Sequence, residues 1–465
     1  MEWSRESGSF RDPSGFVFSH DGVVYRQVNA AYGALYRQLI ESGLYGELAD
    51  AGLIVRHEEV DLRLPEAPGA FAVLRPQQIP FISYPYEWCF TQLKGAALLT
   101  LDLQRRAIER GMVLRDASSY NVQFVAGRPV FIDTLSFGPY VEGEPWVAYR
   151  QFCQHFLAPL ALMAYVDATL VMLMRSHIDG IPLATAARLL PFSTRLRPGL
   201  LTHLHLHARS QVSGPAQHSG SAPQSGSRRM GKTAMLGIVD SLTRTIVQLR
   251  WTPPQTLWST YAEHSNYTAA AQENKQRLVG EWLDRIVSPA KTGTVWDLGA
   301  NVGTYSRIAG DRAGLVVSFD LDHVAVEQHV RSCQSRNETK ILPLVQDLAN
   351  PSPAIGWHHA ERRSLVQRGP ADAALALALV HHLAIGGNVP LDAIAAFFSE
   401  ICRALIVEFV PREDSQVQRM LALREDVFAG YSRSTFEAAF RPYFEVLEST
   451  DLADTVRTLY LMKRR

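Results

Sequence analysis

A glycine turn between an apolar strand and a helix constrains the fold of this chain more than any other stretch. Residues 294–306 read TVWDLGANVGTYS. The β-branched and aromatic side chains of residues 294–296 favour a buried β-strand, and Asp297 stands close to its end. Gly299 and Gly303 allow the backbone to turn tightly and to approach a ligand closely. A strand, a glycine turn and a helix N-terminus together form the usual position of a nucleotide at the carboxyl edge of an open α/β sheet.

The spacing of the glycines separates two classes of nucleotide cofactor. A dinucleotide-binding turn needs the pattern G-x-G-x-x-G, in which the second glycine gives the pyrophosphate room. After Gly299, this chain has Asn301 and Thr304 at the positions of the second and third glycines. The sequence therefore disfavours NAD at this turn.

The same turn resembles motif I of the class I S-adenosylmethionine (SAM) methyltransferases, because Asp297, Gly299 and Gly303 carry the pattern D-x-G-x-x-x-G. The resemblance covers about residues 251–465. It implies an α/β fold, a seven-stranded doubly wound Rossmann-like sheet of mostly parallel strands with an antiparallel last strand near residues 455–462. It also implies SAM as cofactor, direct transfer of the sulfonium methyl group, and no metal in this domain. The cofactor-binding residues that it implies in the turn are Asp297, Gly299, Ala300, Asn301 and Gly303.

Two further acids follow apolar runs in the order and at the distances of the methyltransferase family. Residues 315–322 read LVVSFDLD, a second buried strand, and the resemblance assigns Asp320 to the cofactor ribose, where a carboxylate can accept from both hydroxyls. Residues 341–345 form a third apolar run, after which the resemblance assigns Asp347 to the adenine amino group and Leu348 to the adenine face. The alternative is that each acid only caps the helix that follows its strand.

The fourth and fifth strands carry the candidates for catalysis. Residues 374–383 read ALALALVHHL, and residues 405–411 read LIVEFVP. In the family that this chain resembles, the position of His381 and His382 faces the transferred methyl group, so each imidazole is a candidate general base. Glu408 is a third candidate. The alternative for the paired histidines is that they only shape the pocket.

The sequence indicates the methyl acceptor less directly. The fourth strand lacks the N/D-P-P-Y motif that is associated with methylation of many planar amino nitrogens, so an oxygen or carbon acceptor is favoured. The whole chain, including SYPYEW at residues 83–88, has a looser similarity to bacterial two-domain methyltransferases of the rhizobial nodulation type. That similarity favours a small molecule or glycan-type metabolite, and a protein or peptide acceptor stays open. The competing hypothesis is a binding or scaffold protein without turnover.

The N-terminal half has its own motif in residues 113–134, VLRDASSYNVQFVAGRPVFIDT. Asp116 stands five residues before Asn121, and Asn121 stands twelve residues before Asp133. This spacing resembles the catalytic and metal-binding loops of the protein-kinase and aminoglycoside-phosphotransferase superfamily, in which an acid receives the hydroxyl proton while an Asn and an Asp hold magnesium. The resemblance implies an α+β kinase-like domain and a magnesium nucleotide. The alternative is a mixed α/β domain in which Asp116 and Asn121 cap a turn.

Several positions depart from the kinase pattern. Leu114 replaces the usual histidine of the catalytic loop, Leu135 replaces the glycine after the metal acid, and Arg26 stands where a lysine is expected. The planar guanidinium is not equivalent to an ammonium group. The sequence therefore predicts weak binding of a nucleotide or phosphate group, or recruitment of substrate, without phosphoryl transfer. A bifunctional kinase-methyltransferase is the alternative. The secondary structure expected upstream is a strand at residues 23–27, a helix at 29–42, a strand at 71–84 and a helix at 93–111.

Composition sets the predicted domain boundaries. Residues 210–232 read SQVSGPAQHSGSAPQSGSRRMGK, which is rich in Ser, Gly, Gln and Pro and predicts a flexible linker. Residues 234–250 and 269–286 have the spacing of helices. The predicted organisation is an N-terminal α/β domain at residues 1–209, the linker at 210–232, a helical lead-in or lid at 233–290, and the methyltransferase domain at 291–465. The aromatic residues ahead of the glycine turn, which are candidates for a lid or for simple core, are Trp258, Tyr261 and Tyr267.

Composition also disfavours several classes of protein. The 46 Lys and Arg balance 46 Asp and Glu, so the net charge gives no support for an extended nucleic-acid partner. The four cysteines contain no C-x-x-C pair, and the N-terminus lacks the apolar core of a secretory signal, so a cytoplasmic protein is predicted. The apolar run at residues 156–174 contains Asp167 and is interpreted as a buried helix rather than a membrane span. The alternating His203, His205 and His207 would share one face of a strand, but no acid or cysteine completes a metal site.

Overall fold

The computed structural model of the chain describes residues 3–62, 69–212, 230–254, 268–287, 290, 292–422 and 430–465. The chain forms two compact units. Unit 1 comprises Met1–Thr252 together with Gly356–Glu361, and unit 2 comprises Pro253–Ile355 together with Arg362–Arg465.

Unit 1 begins with a β-sheet and continues into a mostly helical part. Its strands are β1 (Trp3–Arg5), β2 (Gly15–His20), β3 (Val23–Asn29), β4 (His57–Glu59), β5 (Ala70–Pro76), β6 (Met112–Leu114), β7 (Val122–Val125), β8 (Arg128–Phe131) and β9 (Phe137–Pro139). Its helices are α1 (Gly33–Glu41), α2 (Leu44–Asp50), α3 (Phe90–Glu109), α4 (Tyr149–Phe152), α5 (Ala158–Tyr165), α6 (Leu173–Ser176), α7 (Leu183–Leu189), α8 (Pro198–Leu200), α9 (His207–Val212) and α10 (Lys232–Gln248).

The first sheet of unit 1 has the order β1-β2-β3-β5-β4, and its neighbouring strands are antiparallel. Consecutive side chains of a strand point to opposite faces, so Val73 and Leu74 on β5 enter different clusters. Leu74 packs with Val28 and Tyr36, whereas Val73 packs with Phe18. Apolar packing on both faces therefore fixes the register of this sheet.

A helix and two hairpins follow the sheet. The apolar face of α3 is buried, and β6 pairs with β9 while β7 pairs with β8, both in antiparallel fashion. Ala126 and Gly127 between β7 and β8 have φ values of 50° and 75°. A two-residue hairpin turn of this kind requires positive φ at both residues. The strand-turn-strand predicted between Asn121 and Asp133 is therefore confirmed. The upstream strand, helix, strand and helix also occur in the predicted order, but the strand predicted at residues 71–84 ends at Pro76.

Helix α10 groups with unit 1, whereas the sequence places residues 233–290 with the methyltransferase domain. Lys94 Nζ on α3 donates to the carbonyl of Leu249 at 2.8 Å, and the hydroxyl of Ser241 lies 2.8 Å from His203 Nε2. The chain passes from one unit to the other at Thr252–Pro253, so the predicted lead-in is corrected for this helix. Residues 213–229, most of the predicted linker, lie outside the described residues.

The apolar run at residues 156–174 is buried over residues 156–163, but it is not one helix and Val166 is 47% exposed. Helix α5 ends at Tyr165, and Asp167 begins a separate 3₁₀ turn by accepting from the N–H of Thr169 at 2.7 Å. An acid that caps a new turn interrupts the helix that hydropathy alone predicts. Within the described ranges, no helix is long and apolar enough to cross a membrane.

The alternating histidines lie on a π-helical segment, Leu201–Leu206, and at the start of α9, so the strand considered from their spacing is wrong. His203 Nδ1 is 2.8 Å from the hydroxyl of Tyr149, and His205 Nε2 is 2.9 Å from the hydroxyl of Thr194. The two buried imidazoles thus have separate partners. The part of the chain that the structure describes contains no group of three or more His, Cys, Asp or Glu that could hold a metal ion.

Unit 2 is an alternation of strands and helices. Its strands are β10 (Thr294–Leu298), β11 (Leu315–Asp320), β12 (Ile341–Val345), β13 (Ala371–Ala376), β14 (Cys402–Phe409), β15 (Phe444–Asp451) and β16 (Thr458–Arg464). Its helices are α11 (Ala269–Ile286), α12 (Thr304–Gly310), α13 (His323–Ser335), α14 (Leu391–Ile401), α15 (Ser415–Leu421) and α16 (Arg433–Phe440).

The sheet of unit 2 has the order β12-β11-β10-β13-β14-β16-β15. Strands β10 to β14 pair in parallel, and β16 runs antiparallel to both β14 and β15. The seven-stranded, mostly parallel sheet and its antiparallel last strand are therefore confirmed. The predicted fourth strand is too long, because β13 ends at Ala376 and His382–Gly386 form a π-helical segment.

The core of unit 2 forms where helix α11 packs against the strands of the sheet. Val295 on β10 and Val316 on β11 pack with Val279 and Trp282 of α11, all of them buried. Strands that are covered by helices on both faces have nearly continuous apolar sequences. Because β10, β11 and β12 pair in parallel, their carboxyl ends lie at one edge of the sheet, where the polar residues stand.

Candidate functional site

The glycine turn after β10 has a left-handed backbone conformation and is hydrogen-bonded to β11. Gly299, Asn301 and Gly303 have φ values of 76°, 50° and 83°. The N–H groups of Gly299 and Ala300 donate to the carbonyl of Phe319 on β11 at 2.8 and 2.9 Å. These hydrogen bonds tie the turn to the neighbouring strand, and the left-handed φ of Gly299 and Gly303 explains why glycine stands there.

Gly303 has a second reason to be glycine. A Cβ atom at this position would lie 2.0 Å from Nε2 of His329 on α13. The imidazole of His329 is buried, and its Nε2 has no hydrogen-bond partner among the described residues. Burial lowers the pKa of His329 to about 3, so the ring is neutral and acts as packing under the turn.

Asp297, the first acid of the motif, is buried at the end of β10. Its Oδ2 accepts from the hydroxyl of Ser306 on α12 at 2.6 Å. Burial raises the pKa of Asp297 to about 6, and the negative charge of Asp320 adds to the increase while Ser306 opposes it. Asp297 therefore fixes the first turn of α12 relative to the strand.

Asp320, at the carboxyl end of β11, faces the same turn. Its Oδ2 accepts from the N–H of Asn301 at 2.8 Å, and its Oδ1 accepts from the N–H of Asp322 at 2.9 Å. Burial raises the pKa of this carboxyl, and the N–H of Asp322 is the largest opposing influence. Each carboxylate oxygen can accept more than one hydrogen bond, so Asp320 retains acceptor capacity for a ligand hydroxyl.

Asp347 and Leu348 follow β12 and are half-buried. The register of β11 and β12 pairs Asp320 with Val345, two residues before Asp347. Oδ1 of Asp347 accepts from the N–H of Ala349 at 2.8 Å, which leaves Oδ2 without a partner among the described residues. The structure thus brings all of the predicted cofactor residues to the carboxyl edge of three adjacent strands.

His381 and His382 lie beyond β13 with their ring centroids 4.2 Å apart. His381 is 1% exposed, and its Nδ1 has no partner in the described part of the chain. Burial lowers the pKa of His381 well below its usual value, and burial with the charge of Arg457 lowers the pKa of His382 to about 4. Both imidazoles are therefore neutral at pH 7, and His382 is a weak base.

Glu408 on β14 belongs to a buried cluster of charges that we call the charge cluster, formed by Lys275, Glu408, Asp414 and Arg457. Lys275 Nζ donates to Glu408 Oε2 at 2.6 Å, and Arg457 Nη1 donates to Glu408 Oε1 at 3.3 Å. Arg457 Nε donates to Asp414 Oδ2 at 2.8 Å. Two cations face two carboxylates, so the cluster is electrically balanced without a ligand.

Lys275 is a site residue that sequence analysis missed. Its Nζ lies 5.0 Å from the ring centroid of Tyr305, in the first turn of α12, and burial lowers the pKa of this ammonium. The available signal was its place on α11, where Ala271, Lys275, Leu278 and Trp282 share the buried side of the helix. A lysine in an apolar stripe indicates a buried partner.

A cavity of about 460 Å³ lies beside the charge cluster. Its walls include Glu413, Asp414, Asp454 and Arg457, which come from the chain after β14 and from the turn between β15 and β16. The aromatic residues predicted as a lid, Trp258, Tyr261 and Tyr267, lie outside the described residues.

Unit 1 brings the residues of the second predicted site together. Arg26 Nη2 on β3 lies 2.5 Å from Asp133 Oδ1, and Asp133 Oδ2 accepts from the hydroxyl of Ser136 at 2.5 Å. Both oxygens of Asp133 are thus engaged within the protein. A magnesium ion on this carboxylate would compete with the guanidinium of Arg26.

Asp116 and Asn121 form the other half of this site. Asp116 Oδ1 accepts from the N–H of Ser118 at 2.9 Å and from Gln151 Nε2 at 2.7 Å. Burial raises the pKa of Asp116, the charge of Asp133 raises it further, and hydrogen bonds from Ser118, Asn121 and Gln151 oppose this. Asn121 Nδ2 donates to the hydroxyl of Ser136 at 3.5 Å, and this hydroxyl donates to Asp133, so one side chain links the two predicted metal ligands.

The strand order of unit 2, its antiparallel last strand and the acid-flanked glycine turn define the fold and cofactor edge of a SAM-dependent methyltransferase. The chain matches no protein-family profile. It is 37% identical over 465 residues to the nodulation protein NoeA of Rhizobium meliloti (strain 1021). The alignment covers 99% of this chain and 96% of NoeA. The chain belongs to the family of NoeA.

Two solved structures are also similar to this chain. The bifunctional kinase-methyltransferase WbdD is 13% identical with a TM-score of 0.32, covering 44% of this chain and 42% of WbdD, so the chain spans less than half of that protein. The N-methyltransferase NodS from Bradyrhizobium japonicum WM9 is 9% identical with a TM-score of 0.30, covering 42% of this chain and 97% of NodS.

Proposed function

We propose that unit 2 is a class I SAM-dependent methyltransferase that acts on an oxygen or carbon of a small molecule or glycan-type metabolite. The observation that carries the proposal is the position of Asp297, Asp320 and Asp347 at the carboxyl ends of three adjacent strands, where Asp320 accepts from the glycine turn. Nucleotides bind at this edge in open α/β sheets.

The residues at the edge fit the adenosine group of SAM. Asp320 has acceptor capacity for two ribose hydroxyls, and Asp347 Oδ2 is available for an adenine amino group beside the apolar Leu348. The absence of a side chain at Gly299 lets a ligand approach the backbone closely. The protein atom nearest to where a Cβ atom would stand is Leu379 Cδ1, at 3.4 Å. When bound, SAM supplies the methyl group.

On the acceptor side, we expect alignment of the acceptor with the methyl group to contribute more to the rate than proton transfer by a side chain. A hydroxyl must lose its proton during methylation, and the neutral imidazole of His382 can accept it, although a pKa of about 4 makes it a weak base. Glu408 is held by two cations, so we assign it to positioning α11 and β14 rather than to proton transfer. The cavity beside Asp414 offers space for a polar acceptor.

Replacement of Asp320 by alanine tests the cofactor site. Loss of a charged hydrogen-bond acceptor should weaken SAM binding by about 1.5–3 kcal/mol, or roughly 10-fold to 150-fold. Isothermal titration of the full chain measures this directly. The matched control is Asp311→Ala, an exposed acid that follows α12 and faces no part of the site.

Three results separate the hypotheses. If Asp320→Ala binds SAM as tightly as the wild type, the placement of the pocket is wrong. If the wild type gives no heat at millimolar SAM, the scaffold hypothesis replaces the enzyme. If SAM binds, incubation of cell extract with the protein and methyl-labelled SAM identifies the acceptor, and a labelled polypeptide in place of a metabolite would favour a protein acceptor.

A second function is favoured by the cluster of Arg26, Asp116, Asn121 and Asp133 in unit 1. We propose that a kinase-like fold here binds a nucleotide or a phosphate-bearing group of the substrate weakly, without transferring phosphate. Asp133 and Asn121 would hold magnesium if a nucleotide brings it. The ion pair between Arg26 and Asp133 supports weak binding, because the metal must displace the guanidinium.

The expected result for unit 1 is a magnesium-dependent thermal shift with ATP that Asp133→Asn abolishes. A ligand at about 100 times its dissociation constant stabilises the folded state by roughly 2.7 kcal/mol, enough to detect in the full chain. The control is Asp50→Asn, an exposed acid that pairs with Arg56. Phosphate transfer from ATP at a typical kinase rate, lost in Asp116→Ala, would establish a bifunctional enzyme instead.

A further inference from the structure

We propose that unit 1 binds the surface of an anionic lipid bilayer through a basic and apolar face that we call the acid-free face, formed by α7, the 3₁₀ turn Phe192–Leu196 and the segment 201–212. From Gly180 to Val239 the sequence contains no Asp or Glu, although the chain has 46 of them. The seven basic residues of this stretch are Arg188, Arg195, Arg197, Arg209, Arg228, Arg229 and Lys232.

The fold gathers three of these charges in space. A cleft of about 740 Å³ is lined by Arg188 from α7, Phe192 and Arg195 from the 3₁₀ turn, and Arg209 from α9. Three separate segments contribute, so the cations converge on one cleft rather than only following each other along the chain. Arg188, Arg195 and Arg197 form no salt bridge with any carboxylate of the described residues.

Large apolar side chains stand among the cations and are exposed to solvent. Phe192 is 69% exposed and Leu196 is 75% exposed, and Leu189 and Leu206 are each close to half exposed. The guanidinium of Arg195 lies over the ring of Phe192, 5.4 Å from its centroid. Exposed apolar residues flanked by Arg are typical of surfaces that lie in the headgroup region of a membrane.

His205 also lines the cleft and is buried. Burial lowers its pKa, and the charges of Arg195 and Arg209 lower it further. An anionic bilayer matches both properties of the face, because its headgroups attract the cations while its acyl boundary receives Phe192 and Leu196. A nucleic-acid backbone would satisfy the charges and leave the leucines in water, so the bilayer is the favoured partner.

Sedimentation of the full chain with lipid vesicles tests this surface. The chain should sediment with vesicles of equal parts phosphatidylcholine and phosphatidylglycerol, and not with phosphatidylcholine alone. The double variant Arg188→Glu with Arg195→Glu should lower the partition coefficient roughly tenfold or more, because each basic residue near an anionic surface contributes about one factor of five. Phe192→Ser with Leu196→Ser should also weaken binding, while the charge variant alone should change its dependence on salt.

The control variant is Arg128→Glu with Val147→Ser, which makes one change of each kind at exposed positions elsewhere in unit 1. It should bind vesicles as the wild type does. Equal binding to both vesicle types, or undiminished binding by the Arg188→Glu and Arg195→Glu variant, would overturn the proposal. So would failure to bind either vesicle. Should the chain then bind duplex RNA or DNA through the same two arginines, the acid-free face is a nucleic-acid surface.

Discussion

Replacement of Arg457 by methionine is expected to destabilise unit 2 by about 3–5 kcal/mol, because it leaves buried carboxylates without their shared cation. Arg457 is 2% exposed and donates to both Asp414 and Glu408. Lys275, the other cation of the charge cluster, can neutralise only one of them. Denaturant unfolding of the full chain, followed by circular dichroism and tryptophan fluorescence, measures the change.

Arg433 provides a matched control for Arg457. Its guanidinium also has two carboxylate partners, Glu437 and Asp451, but its side chain is 46% exposed. Water screens such pairs, so Arg433→Met should cost less than about 1 kcal/mol. Similar losses for the two variants would mean that burial does not control the strength of the charge cluster.

Replacement of Gly303 by alanine is expected to cost about 2–5 kcal/mol and to weaken SAM binding. The left-handed φ of 83° costs an L-residue roughly 1–2 kcal/mol, and forcing a methyl group into a packed site costs roughly 1–3 kcal/mol more. The new Cβ would stand 2.0 Å from the imidazole of His329. Thermal unfolding together with titration of SAM gives both quantities.

Combining Gly303→Ala with His329→Ala separates the two contributions. Removal of the imidazole relieves the clash but not the backbone strain, so the double variant should be less destabilised than the sum of the single variants. Simple additivity would show that His329 does not contact the turn. A cost below about 1 kcal/mol for Gly303→Ala alone would contradict the described geometry.

The cofactor edge could be predicted because its signals are local. Asp297, Gly299 and Gly303 lie within seven residues, and the chain must turn where an apolar strand ends in glycine. The acids after β11 and β12 follow the same rule, and parallel strands bring their ends to one edge without further information. The antiparallel direction of β16, by contrast, came from the family resemblance alone.

The charge cluster could not be predicted because its members are far apart in sequence. Lys275 and Glu408 are 133 residues apart, and only the packing of α11 against the sheet makes them partners. The packing of α10 in unit 1 could not be predicted for the same reason. Residues 210–232 are polar in composition, but α10, which follows them, packs on α3 of unit 1. Composition does not indicate which earlier helix a later helix will pack against.

The assignment of Gly356–Glu361 to unit 1 has a consequence for the order in which the protein is completed on the ribosome. Glu361 accepts from Arg11 Nε at 3.1 Å, yet residues 253–355, about a hundred of them, are synthesised between Thr252 and this short segment. At about 5–20 residues per second, the nascent N-terminal unit waits roughly 5–20 seconds for its last piece. Three of the seven strands of the unit 2 sheet, β10 to β12, are synthesised before this segment and the other four after it, so unit 2 begins to emerge before unit 1 is complete.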